Sequence, residues 1–266
     1  MMPETIRRAL IPLLLLVQAP QTKASAVDPE LQACILRNAA KTTAVQRIEL
    51  RSTDRIGSEK ILVADVYLKR FADETSGLIA YFKEPEDLWG TRLLVLEKDP
   101  TNEMYLYMPA LFKIRRITSK RISSSMYGSD FSYEDIERVY GLLSSQPAER
   151  IADTTIDGES MYVLRTTPTE DAASKYESVI SYFDKNNCVV RKVEFFEPGS
   201  RLRKVLWVAA DKVRPVQDIR LPREYLMTDL RDKTETRMTI KEVRLDVPIP
   251  DRVFDHTQLK DFRGID

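Results

Sequence analysis

Two blocks of this sequence, residues 45–118 and 148–246, are built of extended runs joined by turns too short to hold a helix. Parallel strands need a crossover of a dozen or more residues, so this spacing dictates an antiparallel sheet. In the first block "VQRIELRST" (45–53) and "EKILVADVYLKR" (59–70) flank a turn at Asp54–Ser58. "GLIAYFKE" (77–84), "TRLLVLEK" (91–98), "EMYLYMP" (103–109) and "LFKIRRIT" (111–118) follow, with "PEDLWG" and "DPTN" as turn chemistry. In the second block Asp157-Gly158, a strong hairpin signal, joins "AERIADTTI" (148–156) to "ESMYVLRTT" (159–167). Runs at 176–184, 188–197, 200–210, 221–230 and 234–246 complete it, and Pro248 and Pro250 end the pattern. The tail "DRVFDHTQLKDF" reads as a short helix or coil. No glycine- and serine-rich linker interrupts residues 27–266, which are expected to form one domain.

Alternation along the strands separates two faces. Leu62, Ala64, Val66 and Leu68 oppose Asp65, Tyr67 and Lys69; Met104, Leu106 and Met108 oppose Tyr105 and Tyr107; Val189, Val193 and Phe195 oppose Lys192, Glu194 and Phe196. One face is apolar and the other mixed, as in an antiparallel sheet with a solvated side. Roughly eleven strands expose more apolar surface than a few short helices hide, and a sheet this large curls or splits. The expected fold is mainly β: a single curved antiparallel sheet forming an incomplete β-barrel, with a few helices over its apolar inner face and a groove between them. A packed β-sandwich without a cavity fits the same periodicity.

The first residues do not belong to this sheet. Arg7 and Arg8 precede the apolar run Ala9–Val17, and "ASA" at 24–26 has the small-x-small form of a cleavage site. Together they read as a secretory signal peptide over residues 1–26. The apolar run is about half of the ~20 residues a membrane span requires. "LQAC" (31–34) loosely resembles a lipidation box, but Lys23, Asp28 and Glu30 separate its cysteine from the apolar run. The 41 basic and 41 acidic residues balance, which argues against nucleic acid as a partner.

Asp28-Pro29 forms a helix start, with Leu31, Ile35 and Leu36 on one face to about residue 40. An oxidising compartment allows Cys34 and Cys188 to pair and staple this helix to the sheet; two separate buried thiols are the alternative.

Residues 107–136, "YMPALFKIRRITSKRISSSMYGSDFSYEDI", run from apolar to basic to small and hydroxylated to acidic and aromatic. Lys113, Arg115, Arg116, Lys120 and Arg121 make a cationic rim for an acidic partner or lipid head group, or an edge that deters strand-to-strand aggregation. "SSSMYGSD", small residues with one glycine, reads as a mobile, exposed loop. Ser132 is an N-cap with Asp135 three residues on, and Phe131 and Ile136 make a hydrophobic staple. Gly128, Ser129, Asp130, Phe131, Ser132, Tyr133, Asp135 and Ile136 thus form either a lid over the groove or an ordinary connecting helix.

"YMPALFKIRRI" followed by "GSDFSYEDI" resembles the signature of the outer-membrane lipoprotein-sorting family, the LolA-like periplasmic carriers. The similar layout covers nearly the whole chain after residue 26. The resemblance implies an incomplete barrel with helices in its mouth, an apolar cavity that shields acyl chains, and relatives that act beside inner-membrane transporters of the resistance-nodulation-division type.

The function expected is a soluble periplasmic carrier, a monomer in peripheral contact with membranes, that takes a lipoprotein or other acyl lipid from an inner-membrane transporter. Leu62, Ala64, Val66 and Leu68, with Met104, Leu106 and Met108, would line its cavity on one side, and Val189, Val193, Phe195 and Trp207 on the other. Plain core packing is the alternative for each. No enzyme, cofactor or metal is expected: the chain has one histidine, His256, no Gly-x-Ser-x-Gly elbow and no ligand cluster. Cap chemistry accounts for Asp130, Glu134 and Asp135 better than an acid–base pair does. A non-enzymatic scaffold of an envelope complex is the remaining class.

Overall fold

The computed structural model describes residues 29–38, 41–142 and 146–265. The leader expected over 1–26 and the cap at Asp28 lie outside them. Helix α1 (Pro29–Arg37) precedes a meander of six strands: β1 (Thr43–Thr53), β2 (Glu59–Arg70), β3 (Ser76–Glu84), β4 (Arg92–Leu96), β5 (Glu103–Met108) and β6 (Lys113–Arg116). Two short helices follow, α2 (Ser119–Ile122) and α3 (Tyr133–Val139). The second block holds β7 (Ala148–Ile156), β8 (Glu159–Thr166), β9 (Ser178–Asp184), β10 (Val190–Glu197) and β11 (Arg201–Trp207). Then come β12 (Val213–Val216), β13 (Ile219–Pro222), β14 (Glu224–Asp229) and β15 (Thr234–Leu245).

Thirteen of these strands make one curved antiparallel sheet that does not close, in the order β6-β5-β4-β3-β2-β1-β15-β14-β11-β10-β9-β8-β7. The two meanders meet where β1 pairs with β15, from Ala44 opposite Leu245 to Thr53 opposite Glu235. β12 and β13 form a separate two-stranded ribbon, which periodicity missed because Pro215 and Pro222 interrupt its short apolar runs. The free edges are β6 and β7, consecutive in sequence and at opposite ends of the sheet order. The chain between them therefore has to cross the sheet, and α2 and α3 are that crossing.

The crossing covers the concave face. Leu50, Leu62, Ala64, Val66, Phe82 and Met104 from one half of the sheet share a buried cluster with Val193, Phe195, Leu206, Met227 and Met238 from the other. Met126, Phe131, Tyr133, Ile136 and Leu142 of the crossing belong to the same cluster.

The opposite face is not solvated along its whole length, contrary to the expectation from alternation. Val45, Tyr67, Ile79, Tyr81, Leu94 and Tyr107 form a second buried cluster under Ile249, Phe254, Leu259 and Phe262. The tail makes two 3-10 turns there, Asp251–Phe254 and His256–Asp261. "GLIAYF" and "RLLVL" are nearly continuous apolar runs, the pattern of strands buried on both sides. Gly77 permits the close approach: a Cβ there would sit 2.7 Å from Cδ1 of Phe254. Arg92 is buried between the rings of Tyr81 and Tyr107, at 5.0 and 4.8 Å, and donates from Nε to the Phe262 carbonyl at 2.7 Å.

Helix α1 lies on the second meander, with Leu31 and Cys34 packed on Tyr162, Leu164 and Cys188. Its buried stripe is Leu31–Cys34, with Ile35 beside it; Leu36, expected on that face, is exposed. Cys34 and Cys188 are joined in a disulfide across 154 residues of sequence. Cross-links closing loops of this length stabilise a fold mainly by restricting the unfolded chain. Replacing both cysteines with alanine is expected to lower stability by about 2–5 kcal/mol, read as a reduced midpoint in urea, whereas reductant should leave the double variant unaffected.

Candidate functional site: the crossing and the concave face

The crossing is held by buried polar groups as well as apolar ones. Ser132 Oγ accepts from the Asp135 amide at 3.2 Å, and Asp135 Oδ2 accepts from the Ser132 amide at 2.8 Å, a reciprocal capping box. Asp135, fully buried, also accepts from Tyr176 Oη at 3.0 Å and Lys204 Nζ at 2.9 Å. Lys204, projecting from β11, donates in addition to the Asp130 carbonyl at 2.7 Å. Asp130 Oδ2 accepts from Thr236 Oγ1 at 2.7 Å, and Oδ1 from Thr234 Oγ1. Burial pushes the Asp130 carboxyl up against the lowering effect of the two threonines. The segment read as a mobile, exposed loop is thus fastened to β11 and β15 at its helical end. Ser129, Phe131, Ser132, Tyr133, Asp135 and Ile136 are buried, and Gly128 alone of the lid residues lies open.

The expected lining residues divide. Leu62, Ala64, Val66, Met104, Val189, Val193 and Phe195 are buried in the concave cluster, with Leu68 and Leu106 packed at its margin. Met108 is half-buried and outside it. Trp207 turns to the other face, because its neighbours Leu206 and Val208 point inward; its ring lies 6.0 Å from the Arg191 guanidinium. Side chains of the crossing occupy the place of the expected groove. Of the two clefts described, one of about 130 Å³ lies on the convex side among Arg47, Asp65, Tyr67, Lys83, Arg244 and Arg263. The other, of about 30 Å³, lies among Asn102, Ile122, Glu134, Glu137, Leu142 and Ser174, room for about one water.

Glu137 lines that small cleft and was missed in the sequence, since its helical position looks like any solvent-facing acid. It is buried, accepts from Asn102 Nδ2 at 2.9 Å, and burial raises its carboxyl to about 7. Lys113, Arg115, Arg116, Lys120 and Arg121 are exposed, and Arg116 pairs with Glu103 at 3.2 Å. His256 stacks on Tyr105 at 4.4 Å on the convex side. Among the described residues no group of three His, Cys, Asp or Glu is placed to hold a metal ion. No helix among them is long and apolar enough to cross a membrane.

An open antiparallel sheet wrapped around its own helical crossing is the LolA-like fold. The chain belongs to a family described simply as an uncharacterized protein, whose model matches residues 74–261. Three solved structures share the fold. A domain from Vibrio parahaemolyticus provisionally assigned to outer membrane lipoprotein sorting is 22% identical, with TM-score 0.76 over 87% of this chain and 97% of that one. A DUF1329 family protein from Desulfovibrio piger is 20% identical, with TM-score 0.78 over 86% and 96%. A LolA superfamily protein from Nitrosomonas europaea is 19% identical, with TM-score 0.67 over 85% and 95%. No curated protein sequence matches the chain.

Two measurements probe the crossing. Lys204→Met leaves the Asp135 carboxylate buried without its cation and is expected to cost about 3–5 kcal/mol. Lys204→Met with Asp135→Asn should recover much of that loss in a denaturation double-mutant cycle; additive losses would mean that the pair is not coupled. Burial favours the neutral form of Glu137, so its contribution to stability is present at low pH and lost as pH rises from its ordinary 4.5 through about 7. Glu137→Gln is therefore expected to raise stability above pH 7, by on the order of 2 kcal/mol, and to flatten the decline between pH 5 and 8.

Proposed function

We propose that this protein is a periplasmic carrier that shelters the acyl chains of a lipoprotein or another acyl lipid beneath its curved sheet during transfer toward the outer membrane. In this reading it receives cargo from an inner-membrane transporter of the resistance-nodulation-division type, and Lys113, Arg115, Arg116, Lys120 and Arg121 dock that partner. The supporting observation is that the concave apolar face is covered mainly by one crossing segment tied down at a few polar points, with Tyr176 and, from the small β12–β13 ribbon, Val213 at its margin, and not by a second large sheet. Cargo enters by displacing that segment. Each acyl methylene taken out of water gains about 0.8 kcal/mol, so a chain of ordinary length offsets the release of Met126, Phe131, Tyr133 and Ile136 and the parting of Asp135 from Lys204. The methionines on the sheet, Met104, Met227 and Met238, suit an adaptable lining.

The filled interior favours a second reading, a non-enzymatic scaffold in an envelope transport complex that needs no guest. Native mass spectrometry of protein taken from the periplasm under mild conditions separates the two. The carrier should bring an acyl lipid with it, and adding that lipid to stripped protein should speed amide exchange across residues 117–142. Protein that neither retains nor takes up acyl lipid would leave only the scaffold.

A further inference from the structure

Apart from Leu36 on α1, the large apolar side chains most exposed among the described residues are Ile56 (87%), Trp89 (60%), Leu111 (48%), Phe112 (86%), Leu202 (37%) and Leu230 (45%). Strand pairing puts all six at one end of the sheet. Thr53 pairs with both Glu59 and Glu235, so the turns at 54–58 and 230–233 lie side by side. Lys204 pairs with Asp229, which brings Leu202 to the same end as Leu230. β3 and β5 run in the direction of β1, so the turns at 85–91 and 109–112 point the same way. Those two turns touch: a Cβ on Gly90 would lie 3.3 Å from Cγ of Pro109. Phe112 is held at φ 48°, a left-handed conformation that a bulky residue seldom adopts, and is nonetheless displayed to solvent.

We infer that this end of the sheet is a membrane-docking edge, whose turns each insert one or two apolar side chains into the head-group region of a lipid bilayer. The edge from β6 to β11 spans nine strands, roughly 40 Å at about 4.8 Å per strand. Its apolar groups stand on separate turns with polar residues between them. A protein partner needs a contiguous, well-packed core at its interface; a fluid bilayer accepts scattered prongs, and tryptophan favours its boundary. Several neighbouring charges pair with one another, Arg51 with Glu59, Arg55 with Asp232 and Arg231 with Glu197, while Lys113 and Arg115 beside Phe112 are exposed and add attraction to anionic head groups. Insertion of the six apolar side chains is proposed as the main attraction, with these cations as a smaller, salt-sensitive addition. The docking edge deepens the carrier reading and rests on it for its purpose, but it is measurable without cargo.

The test is flotation of the lipid-stripped protein with phosphatidylcholine vesicles and with mixed phosphatidylcholine–phosphatidylglycerol vesicles, in low and high salt. The protein should float with both kinds, with little loss in high salt. Ile56→Ser, Trp89→Ser and Phe112→Ser should each reduce partitioning about tenfold with an unchanged melting temperature, and Leu36→Ser should behave as wild type. In a Trp207→Phe variant Trp89 is the remaining tryptophan of two, and its emission should shift to the blue on adding vesicles. Four outcomes overturn the inference: no flotation, binding to anionic vesicles alone that high salt abolishes, a triple variant that floats undiminished, or a vesicle-blind protein whose self-association the triple variant removes. Flotation by protein that never carries lipid would sink the carrier and spare the edge; the reverse result would sink the edge alone.

Discussion

The pairing of β1 with β15 is the interaction on which the rest of this molecule depends. It joins the second structural element of the chain to its last strand and turns two separate meanders into one sheet. Without it each meander would bury only its own part of the apolar face. With it, the edge strands β6 and β7 are driven to opposite ends of the sheet although they follow each other in sequence. The segment between them has no short route, so it lies across the concave face and carries Phe131 and Ile136 into the core. Cover for the sheet and connection across the gap are one piece of chain.

The same segment brings carboxylates into that core, and each finds a specific answer. Asp135 takes an amide, a phenol and an ammonium group; Asp130 takes two threonine hydroxyls; Glu137 takes an asparagine amide, and burial raises its carboxyl to about 7. A buried charge pair is seldom a large net gain in stability, but losing one partner is costly. Such a fastening fixes where the segment lies, while the apolar contacts around it supply most of the adhesion.

Much of this was legible in the sequence because its signals are local. Hairpin spacing identified the antiparallel sheet, and the Ser132–Asp135 relation with Phe131 and Ile136 identified the start of α3 and its cap. What escaped was long-range. Nothing near "VRLD" or "VQRIEL" says that these two strands pair with each other. The continuous apolar runs "GLIAYF" and "RLLVL" signal burial on both faces, but no local pattern says that it is the tail that roofs Tyr67, Tyr81 and Tyr107. Trp207, expected in the lining, faces the other way because Leu206 and Val208 on either side of it take the inward positions. The polar fastening of Asp135 depends on Lys204, sixty-nine residues away, and no spacing rule reaches that far.

The order of events during synthesis is set by where β15 stands. As the chain emerges N-terminus first, the initial meander is complete by Arg116, yet the partner that shields one side of β1 is not made until residues 234–245 appear. For about half the time of its making, the nascent protein displays a ready strand edge and an uncovered greasy sheet. Contacts so distant in sequence form slowly and leave such intermediates prone to association. A protein wired in this way has reason to be kept extended until its last strand is in hand.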